Sequence, residues 1–144
     1  MKITDINQLS LNFKAGDIVW GCAYGYKEQD GDGMAVTQLP VAGMLSPCRY
    51  EKEWDNAKKS ARPYISYFIP LKKDGKTPSW KKAIPAYALN YASTEDECKE
   101  MYNDAIKANI EWHKSEIARL KKELIKIPKP KATTIQSKED DKKE

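Results

Sequence analysis

The sequence predicts an α+β fold: a small antiparallel β-barrel or curved sheet, followed by one long C-terminal α-helix. Two observations carry this. Before residue 93, short runs of β-branched and aromatic residues alternate with turn signals, and no long helical pattern separates them. After it, apolar residues recur at helical spacing as far as Ile127, where Pro128 intervenes. The implied division is a β-module at 1–92, a helix at 93–127 and a disordered, charged tail at 128–144.

The elements follow in order. Phe13-Lys14-Ala15-Gly16-Asp17 is a turn leading into a run where Ile18, Trp20, Cys22, Tyr24 and Tyr26 alternate with Val19, Gly21, Ala23 and Gly25. Period 2 predicts a strand, with the bulky face led by Trp20 in the core. The small residues opposite predict close approach by a neighbouring strand or by the long helix. Residues 27–33 are polar and read as a loop; 34–39 read as a second strand and 41–45, after Pro40, as a short third one. Residues 51–62 are polar around a single Trp, which predicts a loop or short surface helix. Tyr64 to Ile69 is β-rich, and Lys72-Lys73-Asp74-Gly75-Lys76 supplies an Asp-Gly hairpin signal. Ser79 to Ile84 is then the returning strand and Tyr87 to Tyr91 the last one. Five or six short strands without an intervening long helix argue for a barrel or strongly curved sheet.

The helix announces both its ends. Ser93 or Thr94 is the N-cap, with Asp96 or Glu97 as reciprocal partner three residues on. Its first turn is acidic and its last basic, matching the helix dipole. Cys98, Met101, Tyr102, Ala105 and Ile106 offer a face to the β-module. Beyond them Ile106, Ile110, His113, Ile117, Leu120, Leu124 and Ile127 are spaced 4, 3, 4, 3, 4, 3, a heptad seam of about three repeats. The expectation is a homodimer through Ile110, His113, Ile117, Leu120 and Leu124, with His113 as a polar interruption that fixes register. Three heptads are marginal alone, so the β-modules must contribute. The alternative is a helix folded back along its own β-module.

Phe-Lys-Ala-Gly-Asp-Ile-Val-Trp at 13–20 resembles the opening of SH3-like barrels, the KOW type included. Tyr91-Ala92-Ser93-Thr94-Glu95-Asp96-Glu97 resembles the exit from such barrels into a helix in small phage and mobile-element proteins. The resemblance covers about 30 residues. It implies a binding module and identifies no substrate; the long loop at 46–63 departs from its compact pattern.

Composition narrows the chemistry. The chain has 144 residues, 40 % apolar and 32 % charged, with a mean hydropathy of −0.75 and a net charge of +4. No apolar run approaches the ~20 residues that span a bilayer. The N-terminus carries Asp5 and Asp17 without a continuous apolar stretch, unlike a secretory signal. A cytoplasmic protein is expected, in the host cytoplasm if phage-encoded. Cys22, Cys48 and Cys98 are odd in number and show no C-x-x-C spacing, which predicts reduced thiols used as small hydrophobes. His113 is the one histidine, so His-based metal sites and nucleophile triads are disfavoured. Glu28-x-Asp30-x-Asp32-Gly33 begins like a calcium loop, but Leu39 stands where a bidentate Glu is required. Neither phosphate-cradling glycine motif is present. No enzyme, metal or cofactor is expected.

What stands out is charge in the middle of the chain. Residues 49–82 hold ten Lys/Arg against four acids, whereas 1–48 and 83–127 are each slightly acidic. Arg49, Lys52, Lys58, Lys59, Arg62, Lys72, Lys73, Lys76, Lys81 and Lys82 interleave with Tyr50, Trp54, Tyr64, Tyr67, Phe68 and Trp80. Lys neutralises phosphate while aromatics stack on unpaired bases. The chain's 22 Lys against 3 Arg argue against base readout, which favours Arg. Two functions follow: an adaptor or inhibitor that occupies a protein or nucleoprotein surface, and a sequence-independent nucleic-acid binder using 49–82. The plain alternative for these residues is a solvated basic face. Deleting 128–144, a Pro- and charge-rich stretch whose one large apolar residue is Ile135, is expected to leave the thermal transition in place.

Overall fold

A computed structural model describes residues 1–29, 32–60 and 64–127. The elements are β1 (Lys2–Ile3), α1 (Ile6–Asn12), β2 (Ile18–Gln29), β3 (Asp32–Ser46), α2 (Trp54–Ala57), β4 (Tyr67–Pro70), β5 (Ile84–Pro85), β6 (Asn90–Ala92) and α3 (Glu95–Glu123). The strands form one curved, open antiparallel sheet in the order β1-β6-β2-β3-β4-β5. Of the two forms anticipated, the sheet takes the open one, with β1 and β5 as its edges.

The β2–β3 hairpin dominates. Its pairing continues through the polar stretch expected to be loop, with Lys27 opposite Met34 and Gln29 opposite Asp32. Asp30, in the calcium-like segment, lies outside the described residues. Pro40 does not end a strand either. Gly21 pairs with Val41 and Ala23 with Gln38, so Cys22 alone faces Leu39 and Pro40. Two residues against one make a bulge, which suits a proline that has no N–H to donate. The extra residue also switches the alternation of β3, and Val36 and Val41 both pack against the main core.

The alternation along β2 is as expected, but its two faces exchange roles. Val19 and Ala23, on the small-residue face, join Leu45, Phe68, Leu89 and Tyr91 in the main core, with Leu9 of α1. The close approach predicted there is made by the Phe68 ring. A Cβ at Gly43 would lie 2.6 Å from Phe68 Cε1, and one at Gly21 would lie 3.2 Å from Cζ. Trp20, expected in the core, is instead half-buried at the edge of a second cluster of Cys22, Ala92, Cys98 and Met101. A face of small residues admits a large ring from outside the hairpin, so the bulky face was free to take the helix. Trp20→Ala is therefore expected to cost about 1–2 kcal/mol, an ordinary substitution rather than a core deletion. A chemical-denaturation loss beyond about 3 kcal/mol contradicts this placement.

Other boundaries move for local reasons. Ser79 to Ile84 does not return as a strand: Trp80–Lys82 is a 3₁₀ turn, and only the two residues of β5, Ile84 and Pro85, pair with β4 from this side. Residues Ala86–Ala88 form another, leaving β6 as a three-residue strand. Tyr91 is buried there, its hydroxyl donating to the Ala86 carbonyl at 2.7 Å, and burial pushes its phenol well above its usual range. Helix α1 carried no periodic signal in seven residues. The Asp5 side chain caps it by accepting from Asn7 N–H at 2.9 Å, and Leu9 anchors it.

Thr94 caps α3, its hydroxyl oxygen accepting from Glu97 N–H at 3.2 Å. The helix stops at Glu123, short of Ile127. Leu124 N–H donates to Lys121 C=O, a tightened last turn, and Pro128 disfavours helical backbone at the residue before it. The tail expected to be disordered lies outside the described residues. By packing, the chain divides into a unit of residues 1–110 and a unit that begins at Glu111. In the first, α3 sets Cys98 and Met101 against β2, and Tyr102 meets Tyr24 edge-on at 5.9 Å. In the second, Trp112, Ile117 and Leu120 are each more than half exposed. No helix among the described residues is long and apolar enough to cross a membrane.

Candidate binding face

The turn between β4 and β5 presents the lysines. Gly75, at φ +72°, occupies the left-handed region that Lys72-Lys73-Asp74-Gly75 requires to close, and its N–H reaches Lys72 C=O at 2.9 Å. The Asp74 carboxylate accepts the Thr77 hydroxyl and the N–H groups of Thr77 and Lys76, at 2.9 and 2.8 Å. These bonds, the hydroxyl first, hold the carboxyl down at about 2, with Lys72 adding its charge. Lys72, Lys73 and Lys76 thus ride on a pinned turn.

A depressed carboxyl favours the folded turn above the unfolded value of 3.8 and loses that effect as pH falls through about 2. The Lys76 and Thr77 amide signals in NMR are expected to hold steady down to about pH 4 and to move between there and pH 2. In Asp74→Asn the same signals are expected to be displaced at neutral pH and flat across that window.

From this turn the chain enters the 3₁₀ segment that carries Trp80, Lys81 and Lys82. Lys72, Lys73 and Lys82 rim a groove of about 380 Å³ with Val41, Leu71 and Ile84 among its apolar lining. A smaller cavity of about 250 Å³ is lined by Lys72, Trp80, Lys81 and one acid, Glu51. Lys73, Lys76, Lys81 and Lys82 join no ion pair among the described residues. Lys73 and Lys82 stand on the rim of the partly apolar groove and Lys81 on the neighbouring cavity.

The tryptophans join the two halves of the basic segment. Trp54 of α2 and Trp80 meet at 5.9 Å between centroids, tilted by 57°. The Trp54 ring lies over Gly16, where a Cβ would touch it at 3.8 Å. Lys58 sits 5.7 Å from the Trp54 ring centre and pairs with Asp55 at 3.2 Å. Arg49 and Lys52 approach the ring of Tyr50 at 5.6 and 5.9 Å. Each of these rings already contacts a cation or the other tryptophan, while Tyr50 remains 51 % exposed.

The structure therefore brings together Lys72, Lys73, Lys81, Lys82 and Trp80, and links them to Trp54 and Lys58. Arg49 and Lys52 form a separate group on Tyr50. Lys59 is exposed, and Arg62 lies outside the described residues. Phe68 leaves the face altogether, being fully buried. Sequence reading missed the apolar lining, Val41, Leu71 and Ile84. The pairing of β4 with both β3 and β5 assembles it, and no spacing along the chain announces that.

Of the seam residues, Ile110, His113, Ile117 and Leu120 lie on α3 and are exposed, and Leu124 lies one residue past its end. His113 meets Trp112 edge-on at 5.0 Å. All three cysteines are buried, and none is in a disulfide. The neighbouring Cys22 thiol, together with burial, pushes Cys98 far above its usual range, and a protonated thiol is a poor nucleophile. Among the described residues no three of His, Cys, Asp and Glu group as metal ligands. No family model, curated protein or solved structure matches the chain.

Proposed function

We propose that this protein is a non-enzymatic binding module, an adaptor or inhibitor that works in the cytoplasm by occupying a partner's surface. The contact is the face built by Lys72, Lys73, Lys81 and Lys82 with Trp80. One observation carries the reading: lysines that join no ion pair among the described residues rim a groove whose lining includes Val41, Leu71 and Ile84. Cations around an apolar floor suit an acidic protein surface that offers an apolar side chain. The meander β2-β3-β4-β5, with β6 returning to β2, supports an SH3-like reading of the module.

The second reading is direct, sequence-independent nucleic-acid binding by the same lysines, favoured by their positive charge. The contacts that the Trp54 and Tyr50 rings already make weigh against base stacking and place it second. Titrating the protein with a peptide of alternating Glu and Leu, and separately with a mixed-sequence single strand of DNA, separates the two. The first reading expects the peptide to bind and the DNA to bind more weakly. Tighter DNA binding that collapses between low and physiological salt selects the second, and no binding to either rejects both.

A further inference from the structure

We propose that the second half of α3 pairs with a second copy of this chain as a parallel, in-register two-stranded coiled coil. The seam places Ile110, Ile117 and Leu124 at the a positions, and His113 and Leu120 at d. β-branched residues at a with Leu at d favour two strands. Ile110, Ile117 and Leu120 are 47 %, 53 % and 53 % exposed, so none of the described residues covers the apolar seam.

The flanking charges choose the occupant and its direction. With this seam, Glu116 and Glu123 fall at g, and Lys107, Lys114 and Lys121 at e. In a parallel pair each g residue faces the e residue five positions on in the other chain. Glu116 then meets Lys121 of the second copy, and symmetry repeats the contact. An antiparallel pair sets g against g and e against e, which puts Glu opposite Glu and Lys opposite Lys. Both partners of the parallel contact are available. Lys121 joins no ion pair among the described residues, and Arg119 occupies Oε1 of Glu116, leaving Oε2. The ordered seam is short, so the association is weak and appears at high protein concentration.

Light scattering over a concentration series of the full chain is expected to show a dimer that Leu120→Glu abolishes while far-UV helicity persists. Glu116→Lys alone and Lys121→Glu alone are each expected to raise the dimer Kd about tenfold by setting like charges opposite one another. The two together should restore it. Orientation is read by oxidative cross-linking, since the native thiols are buried. Ile110→Cys alone is expected to form a covalent dimer. A monomer at every concentration overturns the proposal. So does a dimer indifferent to both single charge changes, or one that cross-links only when Ile110→Cys is mixed with Ile127→Cys, the a-to-d′ contact of an antiparallel pair.

Discussion

Phe68→Ala is expected to cost about 3–5 kcal/mol, the largest loss from any single truncation in this chain. Phe68 of β4 is fully buried in the main core cluster beside Leu45, Leu89 and Tyr91, whose ring centre is 5.6 Å away. Its ring also fills the space that the missing side chains of Gly21 and Gly43 leave on β2 and β3. The converse change is informative. Gly43→Ala drives a methyl group into that ring and is expected to cost about 1–3 kcal/mol by overpacking. Combined with Phe68→Leu, which vacates the space, the cost should fall well below the sum of the single changes. Urea denaturation of the four proteins tests this. Additive losses would mean that ring and glycine do not share one space.

The second large effect concerns the binding face. Lys72→Glu with Lys82→Glu is expected to weaken binding of an acidic peptide about a hundredfold, because two attractions become repulsions across one groove. Both side chains are exposed, so folding is expected to survive within about 0.5 kcal/mol. Lys59→Glu with Lys126→Glu changes net charge equally at positions that line neither cavity of the face. It is expected to change the affinity by no more than about threefold through long-range attraction alone. Equal losses from the two pairs would show that net charge matters and the groove does not.

The sequence carried the parts of this fold that are local and periodic. The alternation at 18–26, the Thr94 cap, the Asp74-Gly75 turn and the long helix each rest on a few adjacent residues, and each forms. What it did not carry depends on residues far apart. The core side of β2 was decided by Phe68, about fifty positions away, which no alternation within β2 encodes. The bulge at Leu39-Pro40 let a strand continue where proline alone reads as an end. The short strands β1, β5 and β6 take their form from their neighbours, and two or three residues hold no period. The candidate face was legible in the same measure. Its lysines stand out as charge, while its apolar lining comes from strands that meet only in the folded sheet.

NMR mapping of the acidic peptide on the labelled protein is expected to show saturable shifts at the indole N–H of Trp80 and the amides of Lys72, Lys73, Lys81 and Lys82, with the Trp54 indole following through its ring contact. Those shifts should be absent in the Lys72→Glu, Lys82→Glu protein. Saturable shifts centred on other residues, or none at these positions with the peptide bound, would contradict the proposed binding face.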